Sequence, residues 1–158
     1  MEIHKTPWYS IMILMTLGLF LFWGALLNFD DILSLKFSEQ VYFIILWFMF
    51  SLLFLGYSFY LWRKRREGKG IYWNDEGIII DLKENKIYWN EIEDIRFDKG
   101  YLTGIKSTVI YPHYTNHEKI RIRHKKIMPT TAYSLVWFFI EKPREMHNQL
   151  METWEEKK

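Results

Sequence analysis

The chain has 158 residues, a formal net charge of +2 and no cysteine. A charge this small argues against a nucleic-acid-binding protein, which needs a strongly basic domain, and the lack of cysteine excludes disulfides and thiolate metal sites. The length suits one soluble domain. However, the apolar residues are concentrated in two long runs, so the average composition hides two different kinds of sequence.

The first two predicted elements are membrane-spanning helices, at residues 8–27 and 41–62. These runs contain twenty and twenty-two residues without a charge. A helix of twenty residues is about 30 Å long, which matches the hydrocarbon core of a bilayer. Neither run has the polar stripe that a surface helix of a soluble protein keeps. A cleaved signal peptide is the alternative for the first run, but its apolar core is normally about 7–15 residues long. We therefore favour a retained two-helix transmembrane hairpin over 1–62.

The charges beside the two runs predict the orientation of the hairpin. The connector 28–40 is mainly acidic, whereas a basic cluster follows the second run: Arg63, Lys64, Arg65 and Arg66. By the positive-inside rule this cluster is cytoplasmic, which places the protein in the plasma membrane with both termini inside. The cluster binds anionic lipid head groups in one interpretation, and in the other it only fixes the topology. Residues 63–70 then form a basic juxtamembrane linker.

Aspartate, glutamate, lysine, arginine and histidine do not occur inside either apolar run. Such residues at membrane depth usually mark an ion path or a proton relay, so the sequence argues against a channel or transporter. Gly18, Gly24 and Gly56 are small enough for two helices to approach closely at these positions. An anchor is the plainer interpretation of the hairpin.

The remaining residues, 71–158, predict a cytoplasmic domain of mainly antiparallel strands. The tetrapeptide IYWN occurs twice, at 71–74 and 87–90. Each copy adjoins a polar turn and the apolar run 78–80 lies between them, so we place the two copies in the first and third strands of one sheet. A true repeat would need similarity over about 20 residues.

The rest of the domain continues this strand pattern and ends in a helix. The apolar spacing slips after Trp89, which predicts a bulge or a single helical turn at Asn90 and Glu91. Further strands are predicted at 108–111, 119–125 and 133–140. Pro143 suits the first turn of a helix, and apolar residues recur every four positions after it, at Met146, Leu150 and Trp154.

Three segments of the domain carry a family resemblance: DEGI at 75–78, KIYWNEI at 86–92 with Ile95, and the helix from Pro143. With these segments, the chain resembles bacterial pleckstrin-homology-like (PH-like) domains that follow two membrane spans, and within them the YfjD-like group. The resemblance implies a partly open antiparallel β-barrel or sandwich capped by the helix, so the fold class is α+β. It implies no particular activity, because one fold supports many functions.

The segment KIRIRHKK at 119–126 is the best candidate for a binding feature in the domain. If it is a strand, Lys119, Arg121, Arg123 and Lys125 share one face, with Ile120 and Ile122 on the other. The four cations would then meet lipid phosphates at the inner leaflet. The alternative is a solvated face whose cations pair with carboxylates such as Glu91 and Glu93. The domain has 14 basic and 14 acidic residues, which favours the alternative.

The sequence shows no pattern that indicates catalysis, a cofactor or a metal. His113 and His117 have the spacing of metal ligands on a helix, but Pro112 places them in a loop, and none of the common catalytic or phosphate-binding motifs is found. We therefore expect a non-enzymatic binding module that acts on a protein partner or the inner-leaflet surface. The alternative is an immunity protein that protects its producer against a membrane-active toxin or bacteriocin.

Overall fold

The computed structural model of the chain describes residues 2–27, 37–101 and 103–158. These residues form four helices, numbered α1 to α4, and six strands, numbered β1 to β6. The helices are α1 Trp8–Leu27, α2 Phe37–Arg66, α3 His117–Arg123 and α4 Pro143–Lys157. The strands are β1 Tyr72–Trp73, β2 Gly77–Ile79, β3 Lys86–Tyr88, β4 Ile92–Lys99, β5 Lys106–Pro112 and β6 Tyr133–Val136. The fold class is α+β, as predicted.

The chain divides into two compact units. The helical unit comprises Trp8–Arg63, and the β-rich unit comprises residues 2–7 together with 64–158. The β-rich unit therefore includes an N-terminal segment and a juxtamembrane segment that lie outside the domain boundaries proposed from the sequence, which began at residue 71. Most of the predicted connector, residues 28–36, lies outside the described residues.

Both helices of the helical unit are long and apolar enough to cross a membrane, by length and composition. The first coincides with the predicted run 8–27. The second begins at Phe37 and ends at Arg66, so it extends beyond 41–62 at both ends. Large side chains on both helices are exposed, including Phe20 at 72% and Leu52 at 66%.

The two helices pack antiparallel through small residues. A Cβ atom added at Gly18 would lie 2.8 Å from Cγ of Leu55, and one at Gly24 would lie 3.2 Å from the Trp47 ring. The buried Ser51 hydroxyl donates to the carbonyl oxygen of Gly18 over 2.9 Å. The close approach expected of Gly18 and Gly24 is thus present. At Gly56, an added Cβ would meet nothing within 4 Å.

The first sheet of the β-rich unit contains residues of both IYWN segments. Its strand order is β1-β2-β3, with both pairs antiparallel. The two copies contribute the outer strands, as predicted. The Trp89 indole N–H donates to the carbonyl oxygen of Asn74 over 2.8 Å, so the end of one copy is bonded to the other.

The second sheet has the order β4-β5-β6 and is also antiparallel. A 3₁₀ turn, Trp89–Glu91, connects the two sheets, and the register shifts between Ile92 and Asp94. Of the two alternatives predicted at Asn90 and Glu91, the structure has the helical turn, and the register shift follows it at the start of β4. The described residues form two three-stranded sheets and no closed barrel. β6 ends at Val136, where a 3₁₀ turn, Trp137–Phe139, replaces the rest of the predicted strand 133–140.

The core of the β-rich unit is formed by apolar side chains from both sheets, α3 and α4. Met146, Leu150 and Trp154 are buried along one face of α4, as the four-residue spacing predicted. The apolar residues of this unit that are exposed by 2% or less are Ile78, Ile87, Ile95, Ile110, Ile120, Ile140, Met146 and Leu150. Burying them supplies the main stabilisation of the unit.

The N-terminal segment extends the first sheet. His4 and Ile71 exchange backbone hydrogen bonds of 2.8 and 3.0 Å, and the buried His4 ring stacks on Trp73 at a centroid distance of 5.4 Å. Gly70 permits this contact, because a Cβ atom there would lie 2.5 Å from the carbonyl oxygen of His4. Residues 2–7 are therefore part of the folded unit.

Candidate functional site

The segment 119–125 is not a strand, and this prediction was wrong. Residues 117–123 form α3, and the last two positions of the segment lie in the turn that follows. The segment alternates basic and apolar residues over only a few positions. An alternation this short fits a strand and a short helix about equally well, so it does not distinguish between them. Because helical positions advance by 100°, the four cations do not share one face. Ile120 is buried at 1% exposure, whereas Ile122 is 66% exposed.

Arg123 forms an ion pair with the buried carboxylate of Glu91. Its guanidinium donates two hydrogen bonds to the Glu91 carboxylate, at 2.9 and 2.5 Å. Glu91 lies at the corner between the sheets and is only 2% exposed. The carboxylate also accepts the backbone N–H of Tyr88 over 3.1 Å, which caps the 3₁₀ turn. Two parallel bonds from one guanidinium are the strongest way to pair a buried carboxylate, so this pair fixes α3 to the corner.

The electrostatics of the corner keep Glu91 ionised. Burial by itself raises the pKa of Glu91, but the hydrogen bonds from Arg123 and Tyr88 and the charges of Arg123 and Lys119 lower it below the usual value of a glutamate. The hydrogen bonds that Arg123 donates to Glu91 in turn raise the pKa of Arg123. The Arg123 guanidinium also lies over the Tyr88 ring, 4.6 Å from its centroid. Arg123 is thus a structural residue. Its pairing with Glu91 is the pairing that we gave as the alternative to lipid binding for the segment 119–126.

The other predicted cations have different environments. Arg121 donates two bonds to Glu118, at 3.0 and 2.9 Å, and this raises the pKa of Arg121. Lys119 is 70% exposed, with its Nζ atom 4.0 Å from Glu91. Lys125 is exposed and has a positive φ of 52°. In this segment the structure therefore leaves Lys119 and Lys125 as the predicted cations that present charge to solvent.

Two of the juxtamembrane cations, Lys64 and Arg65, form ion pairs within the protein. Arg65 forms an ion pair with Glu141 at 2.6 Å and donates to the carbonyl oxygen of Thr6. Lys64 pairs with Glu67 at 3.0 Å. Arg63 and Arg66 are exposed. The structure does not gather this cluster and the cations of 119–125 into one site that it describes.

A groove that the sequence did not reveal lies beside the Glu91 corner. It has a volume of about 740 Å³ and is open to solvent, and residues from β3, the corner, α3 and α4 line it. Its lining includes Trp89, Trp154, Lys119, Asp75 and Lys157. Asp75 and Lys157 pair with each other at 2.9 Å, which lowers the pKa of Asp75. A groove with aromatic surfaces and paired charges is suited to binding a peptide or another polar surface.

Four of the five histidines make individual hydrogen bonds instead of a shared site, whereas the buried Nε2 atom of His4 has no hydrogen-bond partner among the described residues. The ring of His117 contacts the carbonyl oxygen of Pro112 at 3.1 Å, and that of His124 contacts the carbonyl oxygen of Lys86 at 2.9 Å. Burial lowers the pKa of His124 and also that of His147. Among the described residues, no three histidine, aspartate or glutamate side chains are grouped so that they could hold a metal ion.

Comparison with known proteins adds no further assignment. No protein-family model matches the chain, and no curated protein or solved structure is similar enough to count as a match. The PH-like resemblance therefore stays a prediction based on the three short segments that carry it.

Proposed function

We propose that the chain is a two-span membrane protein that holds the β-rich unit at the cytoplasmic surface as a binding module. The observation that carries this proposal is the exposure of large apolar side chains along α1 and α2. Phe20, Trp23 and Leu27 of α1 are 72, 62 and 76% exposed, and Tyr42, Leu52 and Phe59 of α2 are 71, 66 and 61% exposed. The core helices of a soluble protein would bury such residues, whereas lipid covers them at no cost.

The orientation of the proposed spans rests on the distribution of charge. The basic residues 63–66 end α2 and favour the cytoplasmic side, while the predicted connector is mainly acidic. Both termini are then cytoplasmic. The involvement of residues 2–7 in the β-rich unit fits this arrangement, because the segment before α1 and the segment after α2 must lie on the same side to fold together.

The carboxylates around the groove are paired with cations, and this pairing favours binding over catalysis. Asp75 pairs with Lys157, Glu76 pairs with Lys86, and Glu91 pairs with Arg123. Catalytic groups usually have a pKa moved towards neutrality by burial or by like charges, whereas the pairs lower the pKa of Asp75 and Glu91. We propose a protein partner or the inner leaflet as the ligand of the unit, and a PH-like ancestry for its fold.

Single-cysteine labelling tests the anchor and its orientation, because the chain has no cysteine of its own. We expect Glu155→Cys to react with a membrane-impermeant maleimide only in permeabilised cells, and Ser34→Cys, in the predicted connector, to react in intact cells. The protein should also stay in the membrane pellet after washing with alkaline carbonate. Release by carbonate would refute the anchor, and the reverse labelling pattern would refute the orientation.

Photo-crosslinking tests the binding function separately. Asn90 is exposed and lines the groove, so a photoreactive amino acid at this position should give an adduct with a partner in living cells. The matched control is the same amino acid at Lys83, an exposed position that does not line the groove. Equal adduct patterns from both positions would argue against the groove as a binding site.

A further inference from the structure

The end of α3 and the loop after it expose an unusual set of apolar side chains. Ile122 is 66% exposed, Ile127 is 93% exposed and Met128 is 75% exposed. Single exposed apolar residues are normal on a protein surface, but these three lie within seven consecutive residues. We call residues 119–128 the α3 loop patch. A folded unit gains nothing in stability from such exposure, so the patch indicates a contact with something outside the unit.

The patch has a defined backbone conformation. After the last turn of α3, the Lys125 N–H donates to the carbonyl oxygen of Ile122 over 3.1 Å, and the Lys126 N–H donates to that of Arg121 over 3.0 Å. With Lys125 in the left-handed region, at φ 52°, these bonds form a Schellman motif. The motif folds the chain back at the end of α3, so Ile127 and Met128 follow directly after a fixed turn.

Arg121 reinforces this turn. Its guanidinium donates to the carbonyl oxygens of Lys126 and Ile127, both at 3.4 Å, while it also pairs with Glu118. The exposed apolar side chains are therefore presented by a braced turn, and binding through them requires little ordering of the chain.

Cations surround the apolar side chains of the patch. Residues 117–128 contain five lysines and arginines and one carboxylate, Glu118. Arg121 and Arg123 are occupied by Glu118 and Glu91. Lys119 and Lys125 are exposed, whereas Lys126 is partly buried, with its Nζ atom donating to the Thr130 hydroxyl over 3.0 Å and lying 4.4 Å from the centroid of the Tyr133 ring. The chain as a whole carries only +2, so this charge is a local feature.

We infer that the α3 loop patch inserts into the surface of an anionic bilayer. Ile127, Met128 and Ile122 would enter the boundary between head groups and acyl chains, and Lys119 and Lys125 would meet lipid phosphates. Lysine is depleted in the cores of protein–protein interfaces, whereas lysine beside protruding apolar residues suits a charged lipid surface. This inference rests on the proposed function, since the spans hold the unit next to the bilayer and raise its effective concentration there.

The test uses the full-length protein in liposomes and compares two labelled positions. Ile127→Cys carries a polarity-sensitive fluorophore, and Tyr101→Cys, at a residue that is 100% exposed, is the matched control. Each protein is placed in phosphatidylcholine alone or with phosphatidylserine, and a lipid bearing a quencher on its acyl chain is added. In the anionic liposomes we expect a blue shift and about threefold greater quenching at position 127 than at position 101.

Charge variants of the labelled protein test the role of the lysines. Lys119→Glu with Lys125→Glu should reduce the quenching at position 127 to its value in phosphatidylcholine. The control, Lys83→Glu with Lys99→Glu, makes the same charge change at two exposed lysines outside the patch and should leave the quenching unchanged. Near-ultraviolet circular dichroism confirms that each variant is folded.

The outcomes separate this inference from the proposed function. Equal quenching at positions 127 and 101 in anionic liposomes would overturn it, and so would a response at position 127 that appears only when a protein extract is added. If the protein resists a carbonate wash but position 127 is not quenched, the anchor stands and lipid insertion fails. If carbonate releases the protein, the proposed function itself fails.

Discussion

Two polar residues, the buried Glu91 and the partly buried His147, determine much of the chemistry within the β-rich unit. Glu91 is a carboxylate held in the corner between the sheets by Arg123 and by the N–H of Tyr88. His147 lies on α4 and contacts the fully buried Thr108 hydroxyl at 3.0 Å. If one member of such a hydrogen-bonded pair is removed, the other member stays out of water without a partner. The resulting loss of stability is larger than the net contribution of the intact pair.

Replacing Glu91 by Gln should destabilise the β-rich unit by roughly 2 kcal/mol, because the partly buried Arg123 charge loses its counter-ion. Urea unfolding of the full-length protein in detergent, followed by near-ultraviolet circular dichroism, measures the change. Glu93→Gln removes the same charge at an exposed position and should have little effect. The Glu91→Gln, Arg123→Met double variant should recover part of the loss, and its failure to do so would contradict the pairing.

The stability of the unit should fall on mild acidification. Burial lowers the pKa of His147, so the unfolded chain takes up a proton before the folded one. The contribution of His147 is therefore complete above its unfolded pKa of about 6.5 and is lost as the pH falls towards the folded pKa. Trp137 N–H donates to the Thr108 hydroxyl over 3.0 Å, which leaves the hydroxyl proton for a neutral His147 ring nitrogen.

Thermal unfolding at pH 7.5 and 5.5 measures this effect. The wild type should lose stability between these values, and His147→Gln should reduce the loss. His124 has a lowered pKa as well, so some pH dependence should remain in that variant. A pH dependence identical to that of the wild type would show that His147 does not titrate in this way.

At the level of the elements, the pair α1 and α2 depends on close approach at Gly18. Gly18→Val should separate the helices, since a Cβ atom there would already lie 2.8 Å from Leu55. Gly56→Val makes the same change on α2 at a position with nothing within 4 Å, and it should be tolerated. The yield of crosslinking between cysteines placed at Phe22 and Phe48 by a short bifunctional maleimide reports the packing, because the ring centroids of these residues are 5.6 Å apart. Equal yields in both variants would contradict the described contact.

At the level of the whole molecule, the β-rich unit is discontinuous in sequence. His4 of the N-terminal segment forms an isolated bridge with Ile71 beside the first sheet, although 56 residues of the helical unit separate residues 2–7 from Lys64. A fragment of residues 71–158 would expose the edge of β1 and lose the contacts of His4 and Arg65. We expect this fragment to be less stable than a version in which residues 8–63 are replaced by a flexible linker of about eight glycines and serines.

Urea unfolding of the two fragments measures this difference. A variant of the linked fragment in which Gly70 is changed to Val is the control, because its side chain would displace His4. It should be as unstable as the shorter fragment. Equal stability of all three would show that the N-terminal segment contributes nothing. The immunity hypothesis stays a prediction at this level, and challenging cells that express the protein with candidate toxins would test it.

The sequence alone determined the elements whose pattern is long or chemically distinct. The run 8–27, the two IYWN strands, the turn after Trp89 and the buried face of α4 all follow from uncharged length, turn residues or a sustained period. The sequence also indicated Glu91 as a partner for the cations of 119–125. It could not show which cation pairs with it or in what geometry.

Only the tertiary structure decided the features that depend on contacts between distant residues. The segment 119–125 alternates over too few residues to distinguish a strand from a helix, and its conformation is fixed by Ile120 in the core and by Arg123 on Glu91. The bridge between His4 and Ile71 joins residues far apart in the chain, which no local pattern records. Local periodicity specifies which face of an element is apolar, whereas the choice of partner is made by packing and by the cost of leaving a buried charge unpaired.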